Sequence, residues 1–201
     1  MQEFVKTDDC RIQKISDFLN IENGEAFVQV VSQHFVSPNS DVESFLRNKS
    51  IQATKLSTAS SYLVYSKKSF PLIDIAGYFT LATKMLNLNR AIMSKSTEKI
   101  ISRFGYYDEI SDLYHIPAIL LAQFGRNFNE NCISISGKDL MSLALNQIKY
   151  ILSLSSGKTV FLECAKKQKL IDFYKAHGFL ILDNEVLSKD KRKMVQLYRL
   201  L

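Results

Sequence analysis

The clearest feature of the pattern is a nearly unbroken apolar run, "IPAILLAQFG", from Ile116 to Gly125. Continuous apolarity without alternation predicts a strand buried on both faces. Ahead of it, "SSYLVYS" (60–66) and "IDIAGYFTLAT" (73–83) are β-rich runs separated by "KKSFPL". They predict an antiparallel hairpin. Behind it the period changes. Leu140, Leu143, Ala144, Ile148 and Ile151 recur at helical spacing and predict a helix from about Lys138 to Leu152. "KTVFLEC" then reads as a strand, "KKQKLIDFYKAH" as a helix and "GFLIL" as a strand. A charged hairpin, "DNEVLSKDKRK", leads to a last strand, "MVQLYRLL".

The front of the chain is less regular. "CRIQKISDFLNI" has helical spacing at Ile12, Ile15, Phe18 and Leu19, while "AFVQVVSQHFV" fits helix and strand alike. "SPNSDVESFLRNKSIQATKL" opens a helix that Asn39 or Ser40 can cap, with Val42, Phe45 and Leu46 on one apolar face. Between the first hairpin and the central strand, "STEKIISRF" (96–104) predicts a short helix and "GYYDEISDLYH" an irregular connection. Strands on both sides of two helices, behind a hairpin, indicate an α/β (α+β) class. With no repeat and no linker, residues 1–201 are expected to be a single domain, 1–38 being an extension that the pattern does not place.

Composition narrows the classes. The 201 residues are 46% hydrophobic and 11% aromatic, which excludes wholesale disorder. No run of eighteen apolar residues exists, and "MQEFVKTDDC" lacks the basic and apolar blocks of a signal peptide. A cytoplasmic protein with no membrane partner is expected. Cys10, Cys132 and Cys164 form no CxxC pair, which suits a reducing compartment and offers little to a metal. Charge is uneven within a net +6. Residues 1–50 carry five Lys/Arg against eight Asp/Glu, and residues 51–201 carry twenty-one against twelve. A basic C-terminal portion fits an anionic partner, a phosphorylated cofactor or a nucleic acid, as well as an ordinary solubilising surface.

Three chemistry-bearing features follow one another: a buried strand ending in "AQFGRN", a helix opened by "SGKD", and "FYKAHGF" about thirty-five residues later. Their order and spacing resemble the GCN5-related N-acetyltransferase (GNAT) superfamily. "DVESFLRNKS", "SSYLVY" and "AGYFTLATKML" extend the resemblance to its bacterial toxin-type branch, over about residues 39–200. The resemblance implies a GNAT-like mixed, mostly antiparallel central sheet with helices on both faces and a splayed central strand pair. It implies acetyl-CoA as co-substrate, no metal, and acetyl transfer to a primary amine. The toxin branch adds aminoacyl-tRNA as acceptor and an antitoxin partner, and a homodimer fits the same family.

Residue by residue, the family's pyrophosphate loop falls on Ser134, Gly137 and Asp139, and only the glycine matches. Ser136, Gly137, Lys138, Asp139 and Leu140 are the cofactor-binding positions it implies. A helix N-terminus favours an anion, and glycine lets phosphates approach the backbone. Asp139 departs from the pattern, since a carboxylate there suits the helix dipole and repels a phosphate. An ordinary helix start capped by Ser136 is the other reading. Phe124, Gly125 and Arg126 fall where strand backbone meets the pantetheine arm, and Gly125 reads equally as a strand-end bulge. Tyr174 matches the tyrosine that protonates the leaving thiolate, its alternative being a ring packed for its own sake. No spacing selects a general base among Glu163, Asp108, Glu109 and His115. Gln123 is uncharged where the toxin branch often has Arg. A non-catalytic module binding coenzyme A or a nucleic acid is the competing class, and a hydroxyl at 174 is what it would not need.

Overall fold

The computed structural model describes residues 4–66, 74–187 and 193–201. The strands are β1 (Phe4–Val5), β2 (Cys10–Lys14), β3 (Ser60–Ser66), β4 (Ile75–Asn89), β5 (Tyr106–Asp108), β6 (Leu113–Arg126), β7 (Ser134–Ile135), β8 (Thr159–Ala165), β9 (Leu180–Leu187) and β10 (Lys193–Leu200). The helices are α1 (Ile15–Leu19), α2 (Gly24–Gln33), α3 (Ser40–Asn48), α4 (Ser50–Lys55), α5 (Lys95–Ile101), α6 (Gly137–Ser155) and α7 (Gln168–Ala176). Hydrogen-bonded neighbours follow the order β2-β3-β4-β6-β8-β10-β9, with β5 on β6, and β1 pairs separately with β7. Pairing is antiparallel at β2/β3, β3/β4, β5/β6, β8/β10 and β10/β9, and parallel at β6/β8. The expected mixed, mostly antiparallel α/β sheet is present. The turn "KKSFPL" and residues 188–192 of the charged hairpin lie outside the described residues.

The chain divides into two compact units, Met1–Ala82 with Ala122–Gln147, and Thr83–Leu121 with Ile148–Leu201. In the first, Ile15, Val28, Phe35, Leu46, Leu63 and Tyr78 form a core closed to solvent. Each such side chain contributes on the order of 1.5–3 kcal/mol by leaving water. The Tyr78 hydroxyl, buried among them, donates to the Val42 carbonyl and ties β4 to α3, while its ring meets Phe35 edge-on at 5.1 Å. Asn39 caps α3 as expected, its side chain accepting from the Asp41 amide at 3.1 Å.

Two local expectations in this unit give way to tertiary pairing. Cys10–Lys14, helical by spacing, is a strand in register with β3 from Cys10↔Ser66 to Lys14↔Tyr62. The helical period begins only at Ile15, because sheet pairing overrides a three-residue hint. The helix expected to open after Asn39 or Ser40 breaks at Lys49, with φ −127° and ψ −24°. There the buried Ser50 hydroxyl donates back to the Leu46 carbonyl at 2.6 Å and competes with the straight helix.

In the second unit, Leu86, Leu88, Ile101, Ile116, Phe161 and Leu182 are core. Alternation of exposed Met85 and Asn87 with buried Leu86 and Leu88 carries β4 beyond the expected residue 83. The stretch expected to be irregular is largely a hairpin, Tyr106↔His115 to Asp108↔Leu113. Its turn is made by side-chain chemistry: Asp108 accepts from the Ile110 amide at 3.0 Å, and Asp112 takes φ 54°. Ser94 caps α5, accepting from the Thr97 amide at 3.1 Å. Arg90 then fastens this helix to the second unit's sheet through Glu98 at 2.9 Å, which also accepts from the Tyr114 hydroxyl.

Candidate functional site

Two of the expected cofactor residues, Gly125 and Leu140, meet at one point of β4. A Cβ built on Gly77 would stand 3.1 Å from the Gly125 carbonyl oxygen, 3.1 Å from Leu140 and 3.2 Å from Ile135. Gly77, which sequence reasoning passed over, is what lets the end of β6 and the start of α6 close on the same strand. Gly125 is a glycine for a protein reason. Its Cβ would lie 2.7 Å from Val42 Cγ1 and 3.3 Å from the tip of Phe35, so the close approach here comes from two core side chains.

At the start of α6 the local chemistry is an N-cap, with Ser136 and Asp139 paired through their side chains. Ser136 Oγ accepts from the Asp139 amide at 3.0 Å and donates to Asp139 Oδ2 at 2.6 Å. Thr7 Oγ1 donates to Asp139 Oδ1 at 3.1 Å, so both carboxylate oxygens are engaged. The Gly137 and Lys138 amides precede the one that Ser136 takes, and a helix leaves its first amides without intrahelical partners. Lys138 is exposed and Leu140 fully buried, anchoring the turn. Ser134, in the slot where the family carries Gln or Arg, is buried and donates to the Asn127 carbonyl at 2.7 Å.

Asn127, one residue beyond β6, is a hub that the sequence did not announce. It is fully buried. Its side chain donates to Ile75 O at 2.8 Å and accepts from the Val36 and Asn129 amides at 3.0 Å each. Only the partners brought by the fold reveal the asparagine's work. Next to it, the Arg126 guanidinium carbon lies 4.1 Å from the centre of the Phe128 ring and 5.4 Å from that of Phe4. Phe124 is partly buried on the same strand.

Tyr174 lies in the second unit, in the last turn of α7. The backbone there closes as a Schellman motif: Phe179 N–H donates to Tyr174 O at 3.1 Å and Gly178 N–H to Lys175 O at 2.9 Å. Gly178 sits at φ +79°, the left-handed conformation that this motif requires. The Tyr174 ring is 5.9 Å from Phe179 and 5.3 Å from Phe173, the first being the apolar contact that accompanies such a stop. Arg199 donates to the His177 carbonyl and completes the cap, while His177 Nδ1 donates to Phe173 O at 2.7 Å. The ring of Tyr174 is thus accounted for by packing. Its hydroxyl is not: no described residue hydrogen-bonds it. Burial, with the neighbouring Cys164 adding to it, pushes its pKa well above the ordinary phenol value, so the group is neutral and holds its proton. Cys164 is itself pushed up to about 11 by burial and stays a thiol.

The four candidate bases are spread along the second unit. His115 Nδ1 is 2.8 Å from Asn87 Oδ1, an acceptor, so that nitrogen carries the proton. His115 Nε2 is 4.0 Å from Asp108, whose carboxyl is held below its usual range by hydrogen bonds from Ser111 and Ile110. Glu163 accepts from Gln196 at 3.2 Å, and Glu109 is exposed. Among the described residues no group of three or more His, Cys, Asp or Glu is placed to hold a metal, and no helix is long and apolar enough to cross a membrane.

The parallel pair carries the architecture. β6 and β8 are in register only at Ile119↔Val160 and Leu120↔Phe161 among the described residues, although β6 runs on to Arg126 and β8 to Ala165. No family model matches the sequence, and no curated protein is similar to it. Solved structures are. AtaT complexed with acetyl-methionyl-tRNAfMet matches 93% of this chain and 94% of its own at TM-score 0.61 and 20% identity. The chain has the GNAT fold. A tyrosine-to-phenylalanine variant of KacT matches with TM-score 0.62, 16% identity and coverage of 93% and 94%. A tyrosine-to-phenylalanine variant of the AtaT toxin, bound to the C-terminus of the antitoxin AtaR and acetyl-CoA, matches with TM-score 0.56, 16% identity and coverage of 95% and 92%.

Proposed function

We propose that this chain is an acetyl-CoA-dependent N-acetyltransferase of the toxin type, with the amine of an aminoacyl-tRNA as acceptor and Tyr174 as general acid. The observation that carries the reading is the neutral hydroxyl of Tyr174, unpartnered by any described residue, at the end of α7 in a GNAT fold. A ring needed only for the Schellman contact could be phenylalanine. The tRNA acceptor is favoured over a small amine by two observations. AtaT, similar over nearly its whole length, is known in complex with acetyl-methionyl-tRNA. In addition, Lys167, Lys169 and Lys175 are exposed at the start of and along the helix that carries Tyr174, with Lys166 just ahead. Such a surface suits a polyanion. The same reading makes the protein cytoplasmic, with an antitoxin as its protein partner.

Acetyl-CoA supplies an acetyl group held as a thioester. The end of β6, Phe124 to Arg126, offers strand backbone to the pantetheine arm, and the Gly137 and Lys138 amides with the Lys138 ammonium offer donors to the pyrophosphate. Tyr174 gives its proton to the leaving sulfur as the C–S bond breaks and the bond from the acceptor nitrogen to the acetyl carbon forms. The proton lost by that nitrogen returns to the phenolate through solvent. The donor set fits the co-substrate because the cap engages Asp139 with Ser136 and Thr7 and leaves the two preceding amides to other acceptors.

Labelled acetyl-CoA mixed with aminoacyl-tRNA, deacylated tRNA or small amines tests the reading. Label is expected on aminoacyl-tRNA alone, with binding that weakens steeply as salt rises. Transfer to small amines with salt-independent rates would instead make this a housekeeping enzyme. No rise in melting temperature at millimolar acetyl-CoA would remove the acetyltransferase reading altogether.

A further inference from the structure

Residues 4–7, which the sequence pattern left unplaced, meet the candidate cofactor loop at three points within the first unit. β1 pairs in parallel with β7, Phe4↔Ser134 and Val5↔Ile135, directly ahead of the Ser136 cap. Thr7 donates to Asp139 Oδ1 at 3.1 Å. The Phe4 ring lies 5.4 Å from the Arg126 guanidinium carbon. One short strap therefore touches two of the three charged side chains in the candidate set, the carboxylate that repels an anion and the guanidinium that attracts it.

We propose that this strap is a positioning element of the cofactor site and that Thr7 is its key residue. The proposal rests on the acetyltransferase reading. Asp139 is the departure from the family's loop, a negative charge in the turn where phosphates should lie. A carboxylate free to rotate there would swing into the path of an incoming pyrophosphate. Here Ser136 holds one oxygen and Thr7 the other, so the carboxylate is turned back onto the cap and its charge is shared by two hydroxyl donors. Ser136 belongs to the loop itself, whereas Thr7 comes from 132 residues away in sequence, which makes the N-terminal segment part of the site rather than an appendage. Phe4 acts in parallel on Arg126, covering the guanidinium together with Phe128 and limiting the directions its N–H groups can take.

The test is acetyl-CoA affinity by titration calorimetry on the full chain, with the melting temperature of each free variant recorded alongside. Thr7→Val keeps shape and removes the donor, and it should weaken acetyl-CoA about tenfold, as for a hydrogen bond to a charged group. Thr7→Ser should restore wild-type affinity. In an Asp139→Asn background Thr7→Val should have no effect on affinity, since the charge it restrains is gone. Phe4→Ala should weaken binding roughly two- to fivefold, the worth of an exposed cation–π contact. Wild-type affinity in Thr7→Val, or an equal loss in the Asp139→Asn background, would overturn the strap while leaving the acetyltransferase reading intact. A wild-type chain that takes up no acetyl-CoA would remove both. If Thr7→Val does not fold, Asp139→Asn alone decides: it should bind acetyl-CoA about threefold more tightly through loss of repulsion, and weaker binding overturns the proposal.

Discussion

The two helix ends proposed to carry function have been built in opposite ways. At the start of α6 the protein's own groups are matched to one another: Ser136 takes an amide, and Ser136 and Thr7 take both oxygens of Asp139. At the end of α7 the backbone is just as fully closed, through Phe179, Gly178 and Arg199, yet one polar group, the Tyr174 hydroxyl, has no described partner. A binding turn is served by fixing its charges in place before a ligand arrives. A proton donor is served by the reverse, a group held rigidly by its ring and left chemically uncommitted. In the proposed reading, packing and chemistry at α7 are divided between the ring and the hydroxyl of one side chain.

The sharpest way to break that contrast is Tyr174→Phe. If the hydroxyl is the acid, turnover falls about 10²–10⁴-fold while acetyl-CoA affinity and melting temperature hold. An unchanged rate, with chemistry shown to be rate-limiting, would leave α7 with the ring alone and make the two ends alike. Gly178→Val attacks the scaffold instead. A β-branched residue at φ +79°, with its Cβ 3.3 Å from the Arg199 guanidinium, should cost about 2 kcal/mol. A melting temperature lower by roughly 4–8 °C is expected in thermal denaturation.

A smaller effect is expected from Asp139→Asn in the free protein. Losing a carboxylate near the positive end of α6 should cost about 0.3–1 kcal/mol, readable as a slightly lower midpoint in urea. No loss would mean that Asp139 is not seated on its cap. The smallest effect is a flat pH profile. Burial raises the Tyr174 pKa above the ordinary value near 10, so the protonated form persists as pH rises through that point. Turnover should show no basic fall from this group below about pH 10. The same sign gives stability that is full below the unfolded phenol's pKa and declines above it. Above pH 10 the wild type should therefore lose stability faster than Tyr174→Phe.

What the sequence determined by itself was whatever rests on local physics. The nearly unbroken apolarity of Ile116–Gly125 marked the central strand because a strand covered on both faces has no polar side. The helical recurrence from Leu140 to Ile148 marked α6, and "AHGF" marked a left-handed helix stop, because period and glycine act within a few residues. What tertiary structure decided was everything that needs a partner from far along the chain. Cys10–Lys14 became a strand only because β3 lay ready to pair with it. Gly77 mattered only because the Gly125 carbonyl and Leu140 come against it. Asn127 became a hub only when Ile75 and Val36 supplied its hydrogen bonds. Thr7 joined the candidate site through a carboxylate 132 positions away. Local propensity is written into neighbouring residues, whereas a hydrogen bond or a steric fit between distant segments exists only once the chain has folded and brought both members together.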